Sequence, residues 1–233
     1  MDLTGKTTVV TGASSGVGAA TARALGRAGC DVVLAARRED RLRDVASDVE
    51  NGETLVVPTD VASDDDVESL VEDAWEEFGS IDVLVNNAAV LIGDPVADAD
   101  HEDFRQQIEV NLLGVMNTTR AALPSLLDGD GGHVVTVSSM NAEYAAAGGS
   151  AYTASKCGVN GFCDSLRKEM SDEDVRVSVV MPGPVSSEMR DWAGWEGRAL
   201  DPTDVAESIV FTVSRPDHVE IPDITVNTTD KLA

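Results

Sequence analysis

The sequence predicts one α/β domain built on a mostly parallel β-sheet with helices on both faces. Short β-branched runs alternate with longer amphipathic stretches from end to end, and regular β-α alternation is the pattern of a parallel sheet wound by crossover helices. Nothing breaks the alternation: there is no Pro/Ser-rich linker, no low-complexity segment and no repeat with a period of about 20 to 50 residues. A chain of 233 residues, 42% of them hydrophobic, has the length of a single open α/β sheet. Its apolar content excludes a disordered or collagen-like polymer.

Strands are predicted at Thr7 to Thr11, Asp31 to Ala36, Thr54 to Pro58, Ile81 to Asn86, His133 to Ser138, Val175 to Met181 and Ile224 to Asn227. Each is a short run rich in Val, Ile or Thr bounded by turn residues. Helical periodicity begins near Gly16, Arg38, Ser63, Glu102, Ala151 and Pro202, with Gly29, Gly52 and Gly79 as stop signals. Ser63 followed by Asp64, Asp65 and Asp66 reads as an N-cap and an acidic first turn complementing the helix dipole, not as a metal site.

The first strand runs into Gly12, Ala13, Ser14, Ser15, Gly16, Val17, Gly18 and an alanine-rich helix. Gly12 permits the sharp turn, Gly16 lets backbone approach a diphosphate, and Gly18 allows helix and strand to pack closely. The helix start adds N–H donors and a positive dipole, so the segment forms a phosphate cradle. At the end of the second strand, where a dinucleotide fold often carries an acid for the ribose hydroxyls, the chain reads Ala36, Arg37, Arg38. Guanidinium groups suit a 2′-phosphate through bidentate, charge-assisted bonds. Arg37 first, and Arg38 after it, are assigned to that phosphate. Arg41 and Arg43 are assigned to a solvated helical turn neutralised by Glu39, Asp40 and Asp44.

Tyr152 and Lys156 are four residues apart in a helical pattern, which places phenol and ammonium on one face about one turn apart. A nearby ammonium lowers the pKa of a phenol and suits it to acid–base work. Ser139, at the end of the fifth strand, precedes this helix by a loop containing Gly148 and Gly149, so its hydroxyl can reach a substrate oxygen. The set describes a site for carbonyl and alcohol interconversion.

These residues carry a resemblance. TGASSGVG at 11–18, DV at 60–61, NNAA at 86–89, Asn111, Ser139, YTASK at 152–156 and PGPVSS at 182–187 resemble, in order and spacing, the short-chain dehydrogenase/reductase family over essentially the whole chain. The resemblance implies a Rossmann-type doubly wound sheet of strand order 3-2-1-4-5-6-7 and a catalytic set of Asn111, Ser139, Tyr152 and Lys156. It implies that Tyr152 donates the proton in reduction and accepts it in oxidation, with Ser139 orienting the carbonyl oxygen. Lys156 would depress the Tyr152 pKa and bond the nicotinamide ribose, and Asn111, in a bend of its helix, would hold a water leading protons to solvent. Asp60 and Val61 are expected at the adenine, Asn87 and Ala88 along the cofactor, and Pro182, Gly183, Val185 and Ser187 near the nicotinamide. Asn87 also suits a structural tie between neighbouring strands. Ala36 and Arg37 stand where phosphate-preferring relatives differ from the others, so the implied cofactor is NADP(H).

Substrate choice is expected in residues 90–96, 140–149 and a flap near 186–200. Trp192 and Trp195 suit either a cover over an apolar substrate or an anchor for a lid helix. Arg190 suits pairing with Asp191 or Glu188 better than a substrate carboxylate, and Tyr144 is at most a pocket wall. The short tail resembles compact NADP-dependent serine and 3-hydroxy acid dehydrogenases. A 3-oxoacyl carrier reductase and a non-catalytic NADP-binding regulator are the alternatives. A homotetramer is expected from the family's helix pairing, with a dimer as the alternative.

The charge excludes several partners. There are 42 acidic residues against 17 basic ones, a formal charge of −25, and only four of the basic residues are lysines (Lys6, Lys156, Lys168 and Lys231). Such a surface repels nucleic acid, anionic membranes and acidic carriers. Acid excess with lysine depletion points to a halophile, since molar salt shrinks the screening length to about 3 Å and makes the self-repulsion tolerable. No run approaches the roughly 18 apolar residues of a membrane span, and Asp2 replaces the basic start of a signal peptide, so a soluble cytoplasmic protein is expected. Cys30, Cys157 and Cys163 lack metal-ligand spacing and are odd in number, which argues against a zinc site or disulfide framework.

Overall fold

A computed structural model of the chain describes residues 2–129, 131–188 and 197–229. In order, the elements are β1 (Thr7–Thr11), α1 (Gly16–Arg27), β2 (Asp31–Ala36), α2 (Glu39–Ser47), β3 (Thr54–Pro58), α3 (Asp64–Phe78) and β4 (Val83–Asn86). There follow α4 (His101–Ile108), a π-helical turn (Glu109–Leu113), α5 (Gly114–Asp128), β5 (Gly132–Val137) and a 3₁₀ turn (Met140–Ala142). Then come α6 (Ser150–Glu169), β6 (Val175–Pro182), α7 (Pro202–Val213) and β7 (Asp223–Val226). The expectations for Arg190, Trp192 and Trp195 lie outside the described residues, as does the middle of the 186–200 flap.

The strands form one parallel sheet of order β3-β2-β1-β4-β5-β6-β7, the order the family resemblance implies. Alternate residues of each strand feed opposite layers. Val10, Leu34 and Val85 pack with Leu25, Leu42 and Ile209 on one side. Val9, Val33 and Leu84 pack with Leu70, Leu126 and Val159 on the other. Full burial of one such side chain contributes about 1.5–3 kcal/mol, so both layers hold the sheet. Cys30 and Cys163 are buried thiols, whereas Cys157 is exposed. No helix among the described residues is long and apolar enough to cross a membrane.

Several boundaries differ from the sequence expectation: β5 runs Gly132–Val137, β6 extends to Pro182, and β4 and β7 begin or end at other residues than expected. The Ile81 N–H donates to Ser125 Oγ at 2.8 Å, and the Asp82 carboxylate takes the Thr7 N–H at 2.8 Å. β4 starts at Val83, although the Asp82 N–H still donates to Thr7 O at 2.9 Å and its carbonyl accepts the His133 N–H at 3.0 Å. β7 ends at Val226, and just past it Asn227 Oδ1 accepts the Thr228 N–H at 2.8 Å. The long helical pattern begun near Glu102 is interrupted by the π turn, which contains the buried Asn111. The acidic run at 64–66 does form a capped first turn, with Ser63 Oγ accepting the Asp66 N–H at 3.3 Å.

Candidate active site

The carboxyl ends of the central strands open into a cleft of about 1060 Å³. It lies where the winding reverses between β1 and β4; crossover helices leave such a point in opposite directions and ligands enter between them.

One end of the cleft is the turn from β1 to α1. Gly12 has φ 66° and Gly16 φ 54°, conformations that side chains disfavour. A Cβ on Gly12 would stand 2.8 Å from Ala88 Cα. Ser14, Ser15, Gly16 and Val17 line the cleft. Ser15 is the N-cap of α1 but makes no side-chain cap bond, which leaves the helix start suited to an anion. Gly18 does not line the cleft. A Cβ there would lie 2.3 Å from Gly12 O and 2.5 Å from Asn87 Nδ2, the close packing of helix and strand that the sequence predicts.

Asn87 and Ala88 form the floor beside that turn. Their N–H groups both donate to Thr11 Oγ1, at 3.0 and 3.1 Å, and Asn87 Nδ2 donates to Thr11 O at 2.9 Å. Thr11, which the sequence reading did not single out, thus receives the loop after β4.

The arginines are arranged differently from expectation. Arg38 donates to Ser14 Oγ at 3.0 and 3.2 Å, to Ser15 Oγ at 2.9 Å and to Glu188 Oε2 at 3.1 Å. Arg37 is 60% exposed at the lip, with Nη1 4.0 Å from Asp60 Oδ2. Arg41 pairs with the second oxygen of Glu188 instead of with its helical neighbours, while Arg43 pairs with Glu39 one turn away. The two guanidiniums hold the Glu188 carboxyl below the usual carboxylate range. Glu188 was expected to be available to Arg190; its tie to α2 spans too much chain for any local pattern to reveal it. Asp60 and Val61 line the cleft nearby, Val61 against Gly114, where a Cβ would stand 2.7 Å from its Cγ2.

At the other end, α6 supplies Tyr152 and Lys156 and the loop after β5 supplies Ser139, all lining the cleft. Tyr152 and Ser139 share this end of the cleft, and the Ser139 hydroxyl favours the phenolate form of Tyr152. Lys156 Nζ lies 5.7 Å from the Tyr152 ring centre and donates to Val137 O at 2.9 Å. Burial pushes the phenol up, with the Ser139 hydroxyl pulling the other way; this corrects the expectation of a net downward shift, because desolvation disfavours the phenolate. Burial also pushes Lys156 down, to about 8.

Asn111 does not line the cleft. Its Nδ2 donates to Val90 O at 2.8 Å and Ser155 Oγ at 3.2 Å, and its Oδ1 accepts the Val90 N–H at 2.8 Å. Ser155 Oγ in turn donates to Tyr152 O at 2.7 Å. The side chain therefore clamps the loop after β4 to the helix of Tyr152 and Lys156. Gln107 supports the same loop by accepting the Ile92 N–H at 3.1 Å; neither contact follows from local spacing.

Pro182, Gly183, Val185 and Ser187 close the remaining side of the cleft. Gly183 is pressed against Asn227, where a Cβ would lie 2.2 Å from Oδ1. Residues 186 and 200 are bridged by the Ser186 N–H donating to Leu200 O at 2.8 Å. Of the expected substrate loops, residues 90–95 and 146–149 and Asn141 reach the cleft. Tyr144 stands outside the lining and is 58% exposed.

A doubly wound sheet with a phosphate cradle at one end of its switch-point cleft and a tyrosine–lysine–serine group at the other defines a nucleotide-binding oxidoreductase scaffold. The sequence profile of the short chain dehydrogenases matches residues 6–195. An uncharacterized oxidoreductase of Staphylococcus saprophyticus is 36% identical over 230 residues, covering 97% of this chain and 98% of that protein. An alcohol dehydrogenase from the archaeon Thermococcus sibiricus, solved with 5-hydroxy-NADP, superposes with a TM-score of 0.88 at 30% identity over 95% of each chain. A serine dehydrogenase solved in a closed form with NADP+ gives 0.87 at 29% identity over 94% of each. The chain belongs to the short-chain dehydrogenase family.

Proposed function

We propose that this protein is an NADP(H)-dependent oxidoreductase that moves hydride between the nicotinamide and a small carbonyl or secondary alcohol. The observation that carries the reading is that Tyr152, Ser139 and, one turn along α6, Lys156 line the same cleft as the glycine turn and its arginines. The residues present fit the cofactor. Gly12 and Gly16 put no side chain in the path of a diphosphate, α1 begins without a side-chain cap, and Arg38 and Arg41 already hold a carboxylate. NADP and its analogue in two structural relatives support the phosphorylated form.

When bound, the cofactor supplies or accepts the hydride. In reduction, Tyr152 Oη gives its proton to the substrate carbonyl oxygen while Ser139 Oγ hydrogen-bonds the same oxygen and fixes its position. The buried phenol is protonated at neutral pH, as a donor must be. In oxidation the flow reverses, and the Lys156 charge favours the phenolate that takes up the proton. Arg38 and Arg37 receive the 2′-phosphate, and Lys156 the nicotinamide ribose.

A small hydroxy acid, serine among them, is the substrate class supported by likeness to the serine dehydrogenase. An acidic acyl carrier would meet a chain of charge −25. We place the enzyme in the cytoplasm, as a homotetramer. The test is Tyr152→Phe, followed by NADPH fluorescence titration and turnover. Binding should persist while turnover falls by about 10²–10⁴-fold. Unchanged turnover overturns the mechanism, and a wild-type protein that binds NADPH but turns over no hydroxy acid, sugar or simple alcohol favours the regulatory alternative.

A further inference from the structure

Glu188 receives two guanidiniums at once. Arg38 Nη1 reaches one carboxylate oxygen at 3.1 Å and Arg41 reaches the other. Arg38 simultaneously holds Ser14 Oγ and Ser15 Oγ, so the carboxylate sits beside the phosphate cradle. Glu188 lines the same cleft. A carboxylate accepting from two guanidinium forks is an internal stand-in for a phosphate monoester, which prefers the same charge-assisted geometry and carries more charge.

The geometry points to Glu188 as a specificity-determining residue that competes with the cofactor 2′-phosphate for Arg38 and Arg41. It thereby sets how strongly the phosphorylated cofactor is preferred over the unphosphorylated one. The inference rests on the NADP(H) reading and adds Arg41 to the residues that would meet the phosphate. Glu188 is 60% exposed, and an exposed ion pair is weak and screened, so a phosphate of higher charge displaces it. The displacement still lowers the apparent affinity, because part of the population has its guanidiniums engaged. An unphosphorylated cofactor brings no anion to this position and leaves the Glu188 pairs in place, so the penalty falls on one cofactor only.

Competition is distinguished from support by the sign of the effect. The measurement is calorimetric titration of wild type, Glu188→Gln and Glu188→Ala with 2′,5′-ADP and with 5′-AMP, at the lowest KCl that keeps the protein folded. These probes differ only in the 2′-phosphate and need no turnover. Both variants are expected to bind 2′,5′-ADP roughly three- to tenfold more tightly than wild type, with 5′-AMP affinity unchanged. Adding Arg41→Ala to Glu188→Gln should remove much of that gain. Unchanged or weaker 2′,5′-ADP binding in both Glu188 variants overturns the inference, since Glu188 would then be idle or would hold the arginines in position. A wild-type protein that binds the two nucleotides equally overturns the NADP(H) reading itself, whereas a selective wild type with insensitive variants overturns this inference alone.

Discussion

Lys156 Nζ stands 5.7 Å from the centre of the Tyr152 ring, and both side chains are nearly sealed from water, at 2% and 7% exposure. The pair is thus a buried cation beside a buried phenol, each pushed by desolvation toward its neutral form. The Val137 carbonyl compensates Lys156 by accepting a hydrogen bond from Nζ at 2.9 Å, and the Ser139 hydroxyl opposes the shift of Tyr152.

That burial gives the protein a characteristic response to pH. Lys156 has a folded-state pKa of about 8 against an ordinary 10.5. Between these values the unfolded chain binds more protons than the folded one, so stability rises with pH. The thiols of Cys30 and Cys163, raised from 9.0 to about 11, work in the opposite sense above pH 9, where the folded chain holds the extra protons. From pH 8 to 9 the Tm of wild type should therefore rise relative to that of Lys156→Met. Parallel curves for the two proteins would show that Lys156 is not depressed.

Gly18→Ala tests the packing beneath the cradle. Its new methyl would meet Gly12 O at 2.3 Å, a backbone atom that cannot swing aside. A loss of about 3 kcal/mol in urea unfolding is expected, together with weaker NADPH binding. A variant as stable as wild type would mean that α1 shifts without difficulty.

Arg38 and Arg37 should differ in their effect on cofactor affinity. Arg38 is anchored on Ser14 and Ser15, whereas Arg37 projects from the lip beside Asp60. Arg38→Ala is expected to weaken NADPH binding about tenfold or more, and Arg37→Ala less. Fluorescence titration with NADPH and NADH decides it; a larger loss in Arg37→Ala would restore the order that the sequence suggests.

The charge of −25 predicts a strong salt response. Raising KCl from 0.1 M to molar concentrations contracts the screening length from about 10 Å to about 3 Å, so Tm should climb markedly. A Tm indifferent to salt would refute adaptation to a saline interior.

What was legible in the sequence was local. Tyr152 and Lys156 share a helix face because four residues make about one turn, and Gly12 announces its turn because few other residues fit there. Periodicity located the strands but says nothing of neighbours, so their order came through family resemblance. Contacts across large sequence separations were hidden. Asn111 meets Val90 and Ser155, which lie 21 and 44 residues away, and Glu188 lies 150 residues from Arg38. For the same reason, reading Arg41 as an ordinary helical charge was reasonable by spacing and incorrect in space.

Thr11 and Asn87 give the molecule a keel. The hydroxyl of Thr11 receives both N–H groups of the opposing loop, and Asn87 returns a bond to the Thr11 carbonyl. The two wings of the sheet, wound outward in opposite directions, are stitched together at this seam. A molecule bound across it touches both wings at once, so its binding free energy adds to the stability of the folded chain as a whole.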